Sequence, residues 1–217
     1  MHTKRLAVGK GKGIKWVITP RGPHKNAESI TLTEVLKKLG YADTTPEAKK
    51  ILSNGEVLVD GGKIKDHKYA VGLMDTISVP KMKKAYIVST SKHRLILVEV
   101  KTAKTKICKV IGKKIMPKGK IQVNLHDGTN ALYDKPVKVN DTVVLELPSR
   151  KIHEVIPYDT GSKVLIVSGR HRGQQGEIKE ILSGTASRDS LTTVGDLQTL
   201  TDYVFVVGKD KPLVDLA

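Results

Sequence analysis

The chain has 217 residues, 39% hydrophobic and only 4% aromatic, and its 38 Lys and Arg against 22 Asp and Glu give a formal net charge of +16. The lone Cys108 excludes an intramolecular disulfide and a thiolate zinc site; no window approaches the ~20 apolar residues of a membrane span, and the charged start lacks the apolar stretch of a signal peptide. These features fit small β-rich modules in a reducing, cytosolic compartment, and they make a polyanion, nucleic acid first, the expected partner.

The charge is uneven. Residues 1–25 net +7 with no acidic group, residues 26–85 net +2, residues 86–157 net +8 and residues 158–217 net −1. The first segment reads as a basic N-terminal extension that orders against phosphate, through His2, Lys4, Arg5, Lys10, Lys12, Lys15, Arg21, His24 and Lys25. Its Gly9–Gly13 run is no phosphate-cradling loop, because no Gly-Lys precedes a Ser or Thr and no apolar strand leads into it. Pro20, Gly22 and Pro23 keep the end of the arm irregular.

Regular structure is expected from Ser29. Leu32, Val35, Leu36 and Leu39 fall on one face of a short helix, with Thr31 and Glu34 as a capping pair and Gly40 as its stop. A second helix begins at Thr44-Thr45-Pro46-Glu47, buries Ala48, Ile51 and Leu52, and leaves Lys49, Lys50 and Ser53 on its polar side. A hairpin follows, residues 56–59 turning through Asp60-Gly61-Gly62 into residues 63–65, and residues 76–79 form a return strand. Residues 86–157 read as a small barrel or sandwich with strands near 85–89, 95–100, 109–111, 121–125, 142–147 and 152–156. Residues 158–217 give a third β unit, with strands near 163–167, 177–182 and 204–207 and a glycine loop over Ser168–Gly176.

The helix–helix–hairpin block, with Ala48–Ser53 running into Asn54-Gly55-Glu56-Val57-Leu58-Val59-Asp60-Gly61-Gly62, resembles the alpha-L RNA-binding module, and Lys163–Ile181 with Gly169, Gly173 and Gly176 resembles the KOW motif. Together with the His2–Ala7 start, Gly22-Pro23-His24, Val71–Asp75 and His126–Asn130, the whole chain is similar to the archaeal/eukaryotic small-subunit ribosomal protein family S-four-e. The resemblance implies an α+β, mostly β fold: extension 1–25, alpha-L module 26–85, central β domain 86–157 and a KOW-containing, SH3-like β barrel over 158–217. It implies a structural constituent of the small ribosomal subunit, in the cytoplasm, whose partners are small-subunit ribosomal RNA and neighbouring ribosomal proteins. No membrane, cofactor, metal or obligate homo-oligomer is expected.

Within the alpha-L module, Thr45, Lys49, Lys50, Ser53, Lys63 and Lys65 are the candidate phosphate contacts, since a helix start and the hairpin beside it present N–H groups and cations together. Glu47, Asp60 and Asp66 weaken that surface. In the KOW loop the candidates are Arg170, His171 and Arg172, suited to forked phosphate contacts and to stacking. The chain departs from the family pattern at Val8-Gly9, where Ala-Pro is expected, and at Asn54, where related modules often carry a basic residue; no contact is expected beyond Leu216. No nucleophile elbow and no metal-spaced histidine pair appears, and His126-Asp127 reads as a turn, so no catalytic residue is assigned. The alternatives from other classes are an RNA-modifying enzyme or its targeting subunit, and a KOW-type transcription or translation factor.

Overall fold

The computed structural model describes residues 18–209 apart from 93, 101–103 and 186. The described residues form two compact units. One draws on residues 18–89, 94–100, 104–106 and 147–149, and the other on 90–92, 107–146, 150–185 and 187–209.

The first unit opens on β1 (Ile30–Thr31), α1 (Leu32–Lys38) and α2 (Thr45–Ser53). In α1, Leu32, Val35 and Leu36 are buried, and Thr31 caps the helix by accepting the Glu34 N–H. The reciprocal capping box forms on α2: Thr44 accepts the Glu47 N–H, and the Glu47 carboxylate accepts the Thr44 and Asp43 N–H groups. Ala48 and Leu52 seat α2 on the core. The strands β2 (Leu58–Val59) and β3 (Gly62–Lys63) form the expected hairpin, and Asp60 and Gly61 both have positive φ, 50° and 77°, as the tight turn requires. A Cβ at Gly61 would also lie 2.8 Å from the Cβ of Pro148, so the position is closed to side chains twice over.

The strand β4 (Ala70–Val71) pairs with β1, and β5 (Thr76–Val79), β6 (Lys84–Thr90) and β7 (Leu95–Val100) extend the hairpin into a sheet of order β3-β2-β5-β6-β7. One apolar core of Leu32, Val35, Leu36, Leu52, Val57, Ile77 and Val88 joins helices to sheet.

The second unit carries two five-stranded sheets. The first has the order β10-β9-β8-β11-β12, from β8 (Thr105–Ile115), β9 (Ile121–Leu125), β10 (Asn130–Tyr133), β11 (Thr142–Glu146) and β12 (Lys151–Ile156). The second has the order β16-β15-β14-β13-β17, from β13 (Lys163–Ile166), β14 (Gln175–Leu182), β15 (Leu191–Val194), β16 (Leu197–Leu200) and β17 (Val204–Gly208). The strand expected over 109–111 is the middle of the eleven-residue β8, and β10, β15 and β16 are strands beyond those expected from the sequence. Two lysines of the positive middle segment, Lys106 and Lys109, are only 3% and 7% exposed, so its charge overstates what it shows to solvent.

Candidate nucleic-acid interface

His2, Lys4, Arg5, Lys10, Lys12 and Lys15 lie outside the described residues. Arg21 is tied down by backbone alone, its N–H donating to the Lys68 carbonyl at 2.8 Å and its carbonyl accepting from Ala70 at 2.9 Å, while its side chain is exposed. Lys25 is exposed as well.

His24 corrects an expectation. Its place in a basic arm marks it as a contact, but its side chain is 7% exposed and its Nε2 lies 2.8 Å from Asp75. The ring packs so closely against Gly72 that a Cβ there would fall 2.2 Å from His24 Nδ1. A ring held in this way has no face to offer phosphate. It belongs to a buried polar cluster in which the Lys106 ammonium meets Asp60 at 2.6 Å and Asp75 at 2.7 Å. Asp60 also accepts from the Thr76 N–H and hydroxyl, and Asp75 from the Gly72 N–H. Burial raises both carboxyls. For Asp75, Lys106 and the His24 hydrogen bond outweigh burial and hold it below the usual carboxylate range; for Asp60, burial and the neighbouring Asp75 charge prevail and hold it above.

The helix and hairpin candidates are on the surface. Lys49, Lys50, Ser53, Lys63 and Lys65 are exposed and Thr45 half-buried, and the Ser53 hydroxyl donates to the Lys50 carbonyl at 2.8 Å. Two of the three acidic neighbours are turned to internal tasks, Asp60 in the buried cluster and Glu47 in the α2 cap. The structure adds two residues to this face. Burial, and then the charge of Lys49 with smaller contributions from Lys68 and Arg21, pushes the His67 imidazole below its usual pKa against the opposing pull of Asp66. Arg21, Lys49, His67 and Lys68 therefore share one electrostatic neighbourhood. His67 and Lys68 were not singled out in the sequence, because nothing local distinguishes them; the β1–β4 pairing brings their segment beside α1.

In the KOW loop, Gly169 and Gly173 take φ of 82° and 83°, and Gly173 passes so near Ser91 and Lys92 that an added Cβ would lie 3.0 Å from their backbone. Arg170 is exposed and His171 half-buried. Arg172 is half-buried, and its Nε donates to Thr90 Oγ1 at 2.6 Å, so that arginine braces the loop. His126 and Asp127 form a turn as expected: Asp127 accepts from the Thr129 N–H and hydroxyl, and His126 Nδ1 accepts the Lys109 N–H while its ring meets Phe205 edge to face. Among the described residues no group of His, Cys, Asp or Glu is placed to hold a metal ion, and no helix is long and apolar enough to cross a membrane.

Family models match along the chain: the S4 domain over residues 31–77, the ribosomal family S4e over residues 83–152 and the KOW motif over residues 160–187. An S4 domain and a KOW motif on one strongly basic chain make this a modular RNA-binding protein. The small ribosomal subunit protein eS4 of Methanocella arvoryzae is 41% identical over 98% of this chain and 96% of its own length, and that of Archaeoglobus fulgidus is 41% identical over 100% and 98%. The crystal structure of the 30S ribosomal protein S4e from Thermoplasma acidophilum superposes with a TM-score of 0.74 at 33% identity, over 84% of this chain and 96% of that one. The chain belongs to the eS4 family of small-subunit ribosomal proteins.

Proposed function

We propose that this chain is a structural, non-enzymatic constituent of the small ribosomal subunit, and that it holds ribosomal RNA chiefly through the face of its S4 domain. The observation that carries the reading is the convergence of Arg21, Lys49, His67 and Lys68, with Lys50, Lys63 and Lys65 exposed on the same module, Asp60 withdrawn into the buried cluster and Glu47 engaged at the surface in the α2 cap. Cations that outnumber their local counter-ion, here Asp66 at 3.7 Å from His67, are poised for phosphate, and neutralisation lets RNA segments that repel each other pack together. Arg170 adds a contact in the KOW loop, while Arg172 holds that loop in shape. Neighbouring ribosomal proteins complete the set of partners, with no homo-oligomer needed.

The test is binding of the full-length chain to small-subunit ribosomal RNA across a salt series. Replacing Lys49 and Lys50 by Ala is expected to flatten the slope of log affinity against log salt by about 0.7 per lost phosphate contact, with an unchanged melting temperature because both side chains are exposed. An unchanged slope would remove these lysines from the interface.

A further inference from the structure

The strands β8, β9 and β10 bury one face and leave the other uncovered. On the buried side, Val123 and Leu125 enter the core, and Ala131 and Tyr133 pack against it. On the other side the register sets two rows across the three strands: Gly112, Asn124 and Asn130 in one, Lys114, Gln122 and Leu132 in the next. Lys114, Asn124 and Asn130 are exposed, and Leu132 is 61% exposed in spite of its apolar side chain. The Asn124 amide nitrogen lies near Gly112, 3.7 Å from where a Cβ would sit, beside the register shift between Val110 and Gly112.

Neither row contains a carboxylate. The turn joining β8 to β9, closed by the Met116 N–H donating to the Lys120 carbonyl, sets an exposed Lys120 at the end of the platform. The loop after β10 adds exposed Lys135 and Lys138. Of the nearby acids, Asp127 is spent on the Thr129 turn, Asp141 accepts the N–H groups of Lys138 and Tyr158, and Asp134 is exposed beside Lys135, so these cations outnumber the one free-facing carboxylate.

We propose that this amide face of β8, β9 and β10 docks a single-stranded segment of ribosomal RNA, with bases against Gln122, Asn124, Asn130 and Leu132 and the backbone along Lys114 and Lys120. The proposal rests on the reading of the chain as a ribosomal-RNA binder. Side-chain amides carry both donors and acceptors, as base edges do, and splayed bases of single-stranded RNA expose those edges. The lysines match phosphate, and an exposed leucine gives a base a flat apolar contact. A protein-binding patch would instead be expected to centre on apolar and aromatic side chains with lysine depleted; in these two rows one leucine stands among amides and a lysine, while the other exposed apolar groups of β8, Ile111 and Ile115, fall outside the rows.

The experiment uses the full-length chain and purified small-subunit ribosomal RNA. Asn124→Asp with Asn130→Asp changes charge and not size, and is expected to weaken binding about tenfold or more through like-charge repulsion, with a small fall in melting temperature because the two new carboxylates stand opposite each other on β9 and β10; Asn124→Asp alone, which avoids that pair, should weaken binding with an unchanged melting temperature. Gln198→Glu, the same chemical change at an exposed position of β16, should alter affinity less than about twofold if the effect is local. A photoreactive phenylalanine analogue in place of Leu132, in chain assembled into small subunits, is expected to crosslink to RNA. Failure of the unaltered chain to bind the RNA at all would overturn the parent reading. If the unaltered chain binds and the double variant binds equally well, or if position 132 crosslinks only to protein, this face is not an RNA site.

Discussion

Lys106 and Lys109 stand three residues apart on β8, and both are buried, yet the two units of the molecule hold them in opposite ways. Lys106 faces charge: two carboxylates within 2.7 Å, one of them shared with His24. Lys109 faces only backbone, its ammonium donating to the carbonyls of Val204 at 2.8 Å, Asp202 at 3.0 Å and Thr201 at 3.4 Å. Burial without a bonded carboxylate, only partly offset by the charge of Asp202, pushes Lys109 down to about 8. A buried cation can thus be balanced by ions, which makes each member depend on the others, or by dipoles, which leaves it close to titrating.

The sharpest way to break this contrast is Lys106→Met. It strands Asp60 and Asp75 in the core and is expected to cost about 3–5 kcal/mol by thermal or denaturant unfolding, as removal of one partner of a buried ion pair does. The loss should shrink as pH falls and the stranded carboxyls protonate. A loss no larger than that of Lys109→Met would show that the carboxylates are held by their backbone donors alone.

A smaller effect is expected from Gly72→Ala. The new methyl would collide with His24 and drive the imidazole from Asp75, costing about 1–3 kcal/mol as overpacking in a filled core. Unchanged stability would mean that His24 adjusts freely and is no part of the cluster.

Lys109→Met should cost least, below about 2 kcal/mol near neutral pH, because an apolar chain of similar length fills the site and only hydrogen bonds to carbonyls are lost. Its pH dependence is more telling. With a folded pKa of about 8 against 10.5 in the unfolded chain, the unfolded state binds more protons between those values, and Lys109 makes stability rise with pH across that window. The difference in unfolding free energy between wild type and Lys109→Met, followed from pH 7 to 10.5, should therefore grow in favour of wild type. A constant difference would mean that the ammonium is not desolvated.

This comparison also marks how far the sequence could be read. The helices were legible because their rules are local: Thr44 and Glu47 sit at capping spacing, Leu32, Val35 and Leu36 repeat at helical intervals, and Asp60-Gly61 supplies the two positive φ angles of the turn. The surface positions of Lys49, Lys50 and Lys63 followed from the same periodicities. β8 defeated that approach. Five consecutive residues, Lys106 to Val110, are buried, so alternation disappears and lysine stops marking solvent. The partners that make those burials possible are Asp60, Asp75 and the carbonyls of Thr201, Asp202 and Val204 leading into β17, as far as ninety-five positions away in the chain. His24 was misread for the same reason, since its neighbours in sequence are basic while its neighbour in space is Asp75.

The closure of Asp60 and Asp75 by Lys106 also has a consequence in time. The matched S4 domain ends at residue 77, and during synthesis it leaves the translating ribosome before Lys106 does. For that interval its two clustered carboxylates have no ammonium between them, and burying them together is opposed by desolvation and mutual repulsion. The domain can lay its helices on the hairpin early, but its last polar joint stays open until roughly thirty further residues have been added, at ordinary elongation rates a delay on the order of seconds. A fragment cut at the end of the S4 domain would carry that unfinished joint permanently.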